Sequence, residues 1–345
     1  MNTTITATQN DDVLLEVKNL RTYFKLPRNK LVKAVDDISF TLHKGKVLGI
    51  IGESGSGKSV TSRSILRIVE EPGYIAGGEI LFKGVDCLKL SEKAMNALRG
   101  KEISLIFQDP TTSFNPYMTM GQHLEEAYRV HKAASKDTIR KRSLDVLKMV
   151  GINDGENVLP KYPCEFSAGF RQRIFIAMAM IFNPDLLIAD EPTTSLGITI
   201  QAEIIEALND VKRASGTSII IITHDFGVVS QFSDDIFVMY AGHCVEFSPK
   251  RDLLLSPMHP YTVGLIRSVP LLEARKTRRL KSIPGFPPDM TALPDGCPFA
   301  ERCEYAKDVC FKERPELLDV GNGRFCACHY PLKQYRTSDE TVLEV

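Results

Sequence analysis

Short apolar runs, bounded by charged residues or glycines, recur along roughly the first 250 residues of the chain. Several of these runs consist almost entirely of Val, Ile and Leu, a composition that is typical of buried parallel strands. Between the runs, apolar residues recur at helical spacing, as at Leu144, Leu147 and Val150. This alternation predicts an α/β core that is built on a parallel sheet.

The positions of the runs define the predicted elements. Strands are expected at residues 13–24, 34–42, 47–51, 79–82, 103–107, 185–190 and 218–223, with a closing hairpin of 236–240 and 244–247. Helices are expected at residues 60–69, 89–99, most of 120–149, 168–182 and 199–214. Residues 25–33 are predicted to form a loop, Asp109-Pro110 to end a strand, and Ser167 to cap the helix that follows it.

The pattern changes after about residue 249. A helix is expected to end near Ser256, residues 257–262 are expected to break it, and the prolines that follow predict an extended, irregular segment. We therefore predict a core domain at 13–250, with a helical subdomain at about 110–180, and a smaller C-terminal extension at 251–345. The order of the extension is expected to depend on something other than a large core of its own.

Composition narrows the class of protein. The chain has 43 basic and 43 acidic residues, so its charge gives no general argument for binding nucleic acid or an anionic membrane surface. It lacks an apolar run of about 18 residues, and the polar, acidic segment 1–12 does not resemble a signal peptide. A cytosolic protein is expected, with a peripheral membrane partner still allowed. In that compartment, eight cysteines favour metal binding or burial over disulfides.

One segment carries a specific chemical motif. Residues 52–59 match G-x-x-x-x-G-K-[ST] and lie between a predicted buried strand and a predicted helix, which is the context that a phosphate-binding loop requires. Its glycines let backbone N–H groups point at phosphate oxygens, and the helix N-terminus adds a favourable dipole. Lys58 is expected to reach the β- and γ-phosphates and Ser59 to hold Mg²⁺. The predicted ATP-binding residues are Gly52, Glu53, Ser54, Gly55, Ser56, Gly57, Lys58, Ser59 and Val60.

Polar residues at the ends of two later strands extend this site. Asp190 and Glu191 follow an apolar strand, and phosphate-loop nucleotidases use a carboxylate there to hold Mg²⁺. His224 follows the next strand and is a candidate contact for the γ-phosphate. Tyr23 or Phe24 could stack on a purine face, although both aromatics could equally serve only in packing.

Taken together, these residues resemble the ATP-binding-cassette (ABC) superfamily from about Leu15 to Glu246. The resemblance implies a phosphate-loop nucleotidase core of ABC type with a helical subdomain. It also assigns roles to individual positions: Gln108 as the Q-loop glutamine, Phe166–Arg173 with Ser167, Ala168 and Gly169 as the signature motif, Asp190 as the Walker B aspartate, Glu191 as the catalytic glutamate, Ser195-Leu196-Gly197 as the D-loop, His224 as the switch histidine, and Phe24, with Tyr23 as the alternative, as the aromatic that stacks on adenine.

The C-terminal part resembles the extension of oligopeptide and dipeptide importer ATPases. The matching segments are 113–119, 259–262, 283–288 and 296–299, together with Arg302-Cys303. In that branch two ATPase subunits, usually different, pair head-to-tail beneath two membrane subunits on the cytoplasmic face, and an extracytoplasmic binding protein delivers the peptide. Nickel importers share the extension, so import of nickel or another small solute is the alternative.

The resemblance also implies the chemistry. Mg²⁺ would be held by Ser59 and Gln108, with Asp190 acting through water. Glu191 would be the general base for the attacking water, and His224 would contact the γ-phosphate. Lys58 and the loop amides would stabilise the developing charge.

Two positions depart from the family pattern. Ala168 stands where the signature usually has glycine, and Gly197 stands where the D-loop usually ends in aspartate. Because the chain's own phosphate loop, Glu191 and His224 are intact, we predict an asymmetric heterodimer. Its hydrolysing site would combine this chain's phosphate loop with the partner's signature, while the site that uses the Ala168 loop would turn over slowly.

The cysteines of the extension suggest a second site. Cys297, Cys303, Cys310 and Cys328 are separated by five, six and seventeen residues, unlike the close C-x₂-C pairs of zinc ribbons. In the peptide-importer branch, similar cysteines hold a [4Fe–4S] cluster through four thiolates, and zinc is the alternative. Cys326 or His329 could replace Cys328 as the fourth ligand. Cys328 is preferred because residues 327–329 resemble the terminal motif of the family.

Two other classes of function compete with import. A soluble DNA-repair or translation ATPase of the same superfamily is disfavoured by the single cassette and the neutral charge. A module that binds ATP without hydrolysing it is disfavoured by intact Glu191 and His224.

Overall fold

The computed structural model describes residues 12–108, 113–194, 196–268 and 282–332. The sequence predictions for Asp109-Pro110 and Ser195, and those for residues 1–11, 269–281 and 333–345, lie outside the described residues.

The strands follow the apolar runs. They are β1 Val13–Leu26, β2 Lys30–His43, β3 Val47–Ile51, β4 Gly73–Phe82, β5 Val85–Asp86, β6 Ile103–Ile106, β7 Leu186–Asp190, β8 Ser218–Thr223, β9 Asp235–Tyr240, β10 His243–Pro249, β11 Leu318–Gly321 and β12 Arg324–Cys326. The helices are α1 Lys58–Ile65, α2 Glu92–Leu98, α3 Met120–Arg129, α4 Lys136–Met149, α5 Gly155–Val158, α6 Ala168–Ala179, α7 Ile198–Ser215, α8 Phe226–Phe232, α9 Lys250–Leu255, α10 Pro260–Arg267 and α11 Asp308–Lys312.

Each strand and helix predicted in the core is present, with differences at the ends. The loop that was expected over residues 25–33 is much shorter, because β1 ends at Leu26 and β2 begins at Lys30. Arg28 and Asn29 both have positive φ, 63° and 57°, the combination that a tight turn between antiparallel strands requires. Strands β5, β11 and β12 and helices α5, α8, α10 and α11 are not predicted by the sequence pattern.

The first of two compact units contains the described residues up to Leu42, Leu48–Leu88 and the residues from Thr223 onward. Its antiparallel sheet has the strand order β2-β1-β4-β5. A second set of strands runs in the order β11-β12-β10-β9-β3. The pairing of β3 with β9 is parallel, and the pairings of β9 with β10 and of β10 with β12 are antiparallel.

The extension lies in this same unit and contributes to its core. Strand β12 pairs with β10, so the extension adds two strands beyond the predicted closing hairpin. Tyr261 and Phe299 of the extension pack with Val238 and Tyr240 of β9 in one buried cluster. The extension therefore does not build a separate core: its apolar side chains complete a core that the rest of the unit supplies.

The predicted helix break at residues 257–262 is right for its first residues but wrong from Pro260 onward. Helix α9 ends at Leu255, but a new helix, α10, begins at Pro260. His259 caps α10 by accepting a hydrogen bond from the Tyr261 N–H at 3.1 Å. Proline is favoured at the first helical position, where its missing N–H would have had no partner within the helix. The proline thus starts a helix here instead of marking irregular chain.

The second unit contains His43–Val47 and Lys89–Ile222. Strands β6, β7 and β8 are parallel neighbours, and β7 and β8 are fully buried. Helices α3, α4, α6 and α7 belong to the same unit, and α6 contacts each of the other three. Buried Leu124, Val146, Ile176 and Ile204 come from these four helices. None of the helices in the described ranges is long and apolar enough to cross a membrane.

The pairing of β12 with β10 can be tested by stability. Phe325 lies opposite Phe247 in the register, both side chains are buried, and their ring centroids are 6.2 Å apart. We expect Phe325→Ala to lower the free energy of unfolding by about 3 kcal/mol, because it leaves a cavity between the extension and the core. Urea unfolding followed by circular dichroism measures this change.

Phe311→Ala is the matched control for this test. Phe311 belongs to the extension but is 54% exposed, so its loss should change the free energy of unfolding by less than about 0.5 kcal/mol. Equal effects of the two substitutions would contradict the shared core.

Candidate functional site

The predicted phosphate loop connects β3 to α1 and has two positions at which the surroundings leave no room for a side chain. Gly57 has φ +103°, and a Cβ atom there would lie 2.2 Å from the Ala34 carbonyl oxygen. A Cβ atom at Gly52 would lie 2.2 Å from the Met239 carbonyl oxygen. Both distances are far below van der Waals contact. The motif glycines therefore let the loop pass directly against β2 and β9.

Lys58 is buried at the first position of α1. Its Nζ donates hydrogen bonds to the carbonyl oxygens of Gly52, at 2.7 Å, and Glu53, at 2.9 Å. The ammonium group therefore lies against the beginning of the loop, and the loop backbone fixes its position. Ser54 and Gly55, at the outside of the curve, are exposed, and Ser59 and Val60 are half-buried in the first turn of α1.

The second loop residue, Glu53, is held by the C-terminal extension. Its carboxylate accepts two hydrogen bonds from the Arg302 guanidinium, at 2.6 and 2.9 Å. Its backbone N–H donates to the Tyr261 hydroxyl at 2.7 Å. Sequence reasoning missed Arg302 and Tyr261 as site residues. Both occur in segments that resemble the importer extension, but the sequence offered no signal for what they contact.

The two candidate aromatics on β1 differ in their surroundings. The Tyr23 hydroxyl donates to Asp36 Oδ1 at 2.5 Å, and burial together with this carboxylate raises the pKa of the Tyr23 phenol. Phe24 points to the opposite face of the strand, as alternation requires, and is half-buried beside Gly73. Tyr23 is thus committed to a polar contact on its own face, which leaves Phe24 as the better candidate for stacking on a base.

The acidic pair at the end of β7 forms a local network in the second unit. Asp190 is 5% exposed and lies opposite Ile222 of β8. The Glu191 N–H donates to the Ile222 carbonyl oxygen at 2.8 Å. Glu191 Oε2 accepts hydrogen bonds from Thr194 Oγ1, at 2.6 Å, and from Gln108 Nε2, at 3.3 Å. The structure therefore brings two of the predicted site residues, Gln108 and Glu191, into contact and adds Thr194, which the sequence analysis did not identify.

The backbone of Glu191 is unusual. Its φ is +48°, a left-handed conformation that non-glycine residues seldom adopt. Such conformations cost free energy and persist where the surroundings enforce them, which happens most often at functional sites. Here the bond to β8 fixes the backbone, and Thr194 fixes the carboxylate.

His224 belongs to the first unit. It follows β8 directly, and its side chain is exposed. The next residue, Asp225, caps α8 by accepting a hydrogen bond from the Gly227 N–H at 2.8 Å. The histidine is therefore presented between the end of a strand and the capped start of a helix.

The residues predicted to face a partner's nucleotide lie at the starts of two helices of the second unit. Ser167 caps α6, as predicted, by accepting a hydrogen bond from the Phe170 N–H at 3.3 Å. Ala168 follows it and is half-buried. Gly169 is buried, and a Cβ atom there would lie 2.3 Å from Ile200 Cγ2. Gly197 caps α7 with φ −68°, and a Cβ atom there would meet nothing within 4 Å.

Four thiols of the extension line a single cavity. Cys297, Cys303, Cys310 and Cys328 all face it. Burial, with a smaller effect from the neighbouring thiols, raises the pKa of Cys297 and of Cys328 to about 11 each. Within the described parts of the chain, no group of three or more His, Cys, Asp or Glu side chains is arranged to hold a metal ion. The cavity therefore brings the four predicted ligands to one place without a preformed coordination geometry.

The two alternative ligands lie differently. Cys326 is fully buried in β12, opposite Glu246 of β10, and does not line the cavity. His329 lines the cavity, but its Nε2 donates to the Glu313 carbonyl oxygen at 2.9 Å.

Two known protein families match this chain, one over the phosphate loop and one over the C-terminal extension. Residues 35–194 match the family described as ABC transporter, and residues 245–310 match the family described as oligopeptide/dipeptide transporter, C-terminal region. The second match covers most of β10, all of α10 and three of the four cavity thiols.

Relatives match over nearly the full length of the chain. It is 48% identical to the oligopeptide transport ATP-binding protein OppD of Bacillus subtilis (strain 168), over 90% of this chain and 87% of the relative. It is 45% identical to OppD of Salmonella typhimurium (strain LT2), over 95% of this chain and 97% of the relative. It is 43% identical to the dipeptide transport ATP-binding protein DppD of Escherichia coli (strain K12), over 92% and 97%.

Solved structures confirm the predicted ABC cassette fold. The chain resembles the ADP- and Pi-bound dimer of the ATP-binding cassette MJ0796 with a TM-score of 0.61 at 24% identity, over 69% of this chain and 99% of that one. It also resembles cbiO1 from Clostridium perfringens, part of the ABC transporter complex cbiONQ, with a TM-score of 0.60 at 28% identity, over 70% and 91%.

Gly169 of the predicted signature motif and Gly197 of the predicted D-loop supply a prediction, because a Cβ atom meets different surroundings at the two positions. In most helices Gly→Ala stabilises, but at Gly169 the added methyl group would collide with Ile200. We expect Gly169→Ala to lower the free energy of unfolding by about 1–3 kcal/mol through overpacking. Denaturant unfolding measures the change, and Gly197→Ala, which has open space and an ordinary φ, should cost less than about 0.5 kcal/mol.

A second substitution tests whether Gly169→Ala destabilises the protein through the collision of its methyl group with Ile200. Replacing Ile200 by alanine in the Gly169→Ala background removes the colliding Cγ2 atom, so the double variant should be more stable than the sum of the two single effects predicts. Stabilisation by Gly169→Ala alone would contradict the packing described here.

Proposed function

This chain belongs to the family of ABC transporter ATP-binding proteins, and from that premise we propose that it hydrolyses ATP to power the import of oligopeptides or dipeptides. The observation that carries the proposal is the presence, in one chain, of a complete phosphate loop and the C-terminal region of oligopeptide/dipeptide transporters. The named peptide-transport relatives match both parts, since the similarity extends over 90% or more of the chain.

The residues divide the work of hydrolysis. Residues 52–60 would bind the phosphates, with Lys58 at the β- and γ-phosphates, and Phe24 would stack on the base. Ser59, Gln108 and, through water, Asp190 would hold the Mg²⁺ that neutralises charge on the phosphates. These oxygen donors suit that hard cation.

Glu191 would act as the general base. Its carboxylate accepts hydrogen bonds from Thr194 and Gln108, so its orientation is defined before any water is activated. General-base catalysis requires such a positioned group within hydrogen-bond reach of the attacking water. His224, exposed beyond β8, would contact the γ-phosphate, and Lys58 with the loop amides would stabilise the developing charge.

The chain would work as a peripheral subunit on the cytoplasmic face of the membrane. Its partners would be a second ATPase subunit, related but not identical, and two membrane-spanning permease subunits, with an extracytoplasmic binding protein delivering the peptide. Gln108 would begin the loop that contacts the permease, so the nucleotide state could bias its conformation.

The two ATP sites of the dimer would be unequal. This chain's phosphate loop and Glu191 would complete a hydrolysing site with the partner's signature. The opposite site would use this chain's Ala168 and Gly197. Gly197 is exposed and carries no carboxylate, and the Ala168 methyl group would lie where the backbone of a signature loop must approach phosphate closely. The second site would therefore hold ATP and turn over slowly.

Glu191→Gln tests this assignment in the assembled complex. We expect the ATPase rate of the complex to fall by about 100-fold or more, since the substitution removes the general base of the faster site. The matched control is Glu203→Gln on the exposed face of α7, which should leave the rate unchanged.

The corresponding substitution in the partner subunit completes this test. It should leave most of the ATPase rate, because it removes the general base of the slow site. A rate near that of the wild type after Glu191→Gln would contradict the assignment.

The thiol cavity would hold a metal centre. Cys297, Cys303, Cys310 and Cys328 share one cavity, and four thiolates suit a [4Fe–4S] cluster, with zinc as the alternative. A cluster would cross-link the segments of the extension and, when it forms, would displace the thiol protons. Cys328 fits as the fourth ligand better than Cys326, which is committed to β12.

Metal analysis after anaerobic purification tests the cavity. We expect about four irons per chain with a broad brown absorbance. Cys328→Ser should lose most of this iron, whereas Cys326→Ser should retain it, because only the first thiol faces the cavity. If the protein is colourless and contains one zinc, the same ligands hold zinc in place of the cluster. If the wild-type protein contains no metal, the proposed site is wrong.

A further inference from the structure

The second residue of the phosphate loop is an acid that the G-x-x-x-x-G-K-[ST] motif does not require. Glu53 follows Gly52 directly, so its carboxylate lies beside the groups that would bind phosphate. A negative charge near a triphosphate opposes binding unless something offsets it. The neutralising group is Arg302 of the extension, 249 positions further along the chain.

The contact between Arg302 and Glu53 is specific. Two nitrogens of the guanidinium each donate to a different carboxylate oxygen, at 2.6 and 2.9 Å, the paired arrangement that is strongest for arginine and carboxylate. Arg302 is 8% exposed. Its Nε donates to the Pro284 carbonyl oxygen at 2.8 Å, and its Nη1 also donates to the Tyr240 hydroxyl at 3.1 Å. The guanidinium is thus oriented before it meets Glu53.

The backbone of Glu53 is held from two further sides. Its N–H donates to the hydroxyl of Tyr261, whose side chain is fully buried. Its carbonyl oxygen accepts from Lys58 Nζ, at 2.9 Å, and from the Ser56 N–H, at 3.2 Å. The residue that the extension fixes is therefore the same residue that positions the lysine of the loop.

We propose that Arg302 and Tyr261 are positioning residues for ATP binding, which hold Glu53 so that the loop and Lys58 keep their phosphate-binding shape. This inference rests on the nucleotide binding proposed above. Arg302 would also offset the negative charge that the Glu53 carboxylate would otherwise present to the triphosphate. Arg302 and Tyr261 would not contact ATP themselves; both would act through Glu53.

A merely structural tie between extension and core would not need this geometry. The extension is also anchored elsewhere, since the buried Glu246 carboxylate accepts from the backbone N–H groups of Met258 and His259, both at 2.8 Å. Arg314 also makes an arginine contact of the extension, donating to His243 Nε2 at 2.7 Å, but His243 does not belong to the phosphate loop. Arg302 differs from Arg314 in that its partner belongs to the phosphate loop.

Binding of a fluorescent ATP analogue with Mg²⁺ to the purified full chain tests the proposal. We expect Arg302→Gln to weaken affinity by about 10-fold, the scale of a lost charged hydrogen-bonded contact. Arg302→Lys, which keeps the charge without the paired geometry, and Tyr261→Phe, which removes only the hydroxyl, should each weaken it by about 3-fold. Arg314→Gln is the matched control and should bind as the wild type does.

The charge effect has its own test. Adding Glu53→Gln to Arg302→Gln removes the uncompensated carboxylate, so the double variant should bind ATP more tightly than Arg302→Gln alone. In the assembled complex, Arg302→Gln should raise the KM for ATP by about 10-fold while the kcat at saturating ATP stays within about 2-fold, because positioning of the loop is restored once nucleotide is bound.

Several outcomes would overturn the inference. Wild-type affinity in Arg302→Gln would do so, and so would an equal loss in Arg314→Gln, which would indicate general loosening of the extension. If Arg302→Gln fails to fold, Arg302→Lys and Tyr261→Phe decide the question, and wild-type affinity in both would overturn it. Absence of nucleotide binding by the wild-type chain would instead overturn the proposed function itself.

Discussion

The phosphate loop depends on a close approach of backbone to backbone that excludes every side chain larger than hydrogen. At Gly52 and Gly57 the neighbouring carbonyl oxygens of Met239 and Ala34 lie where a Cβ atom would be. The loop is therefore shaped by β2 and β9, far away in sequence, and not by its own residues alone. Because the backbone of the loop is in close contact with these carbonyl oxygens, a displacement of β9 would also displace the loop. This makes the packing of β9 a condition for the chemistry.

That packing is where the extension enters. The aromatic rings of Tyr240, Tyr261 and Phe299 contact one another, with centroids 4.7–5.4 Å apart, and Tyr240 is the last residue of β9. Strand β12 continues the strand order beyond β10. Apolar burial thus fixes the extension to the same strands that shape the loop. Tyr261 and Phe299 are therefore part of the structure that presents the phosphate loop, although they carry none of its motif.

The sequence predicts the core well, and the reason is physical. Strands such as β7 and β8 are continuous buried runs, whose composition alone identifies them, and the helix caps at Ser167 and the strand-end acids depend on neighbours in the chain. The misses depend on distant contacts. Strand β11 has only four residues and is exposed throughout, so its pairing with β12 defines it. Spacing likewise could not separate Cys326 from Cys328, since the difference is which thiol faces the cavity and which faces β10.

The position of Glu53 shows why a motif describes less than the site it marks. In G-x-x-x-x-G-K-[ST] the four intervening residues are free because the backbone, not the side chains, binds phosphate. In a particular chain, however, the residue at a variable position of the motif can matter. Once an acid occupies the first of these positions, its charge must be offset and its side chain must be accommodated. Here both requirements are met by one arginine from the extension, which itself needs Pro284 and Tyr240 to be oriented. The phosphate loop of this protein is therefore held in part by a residue that no local pattern connects to it.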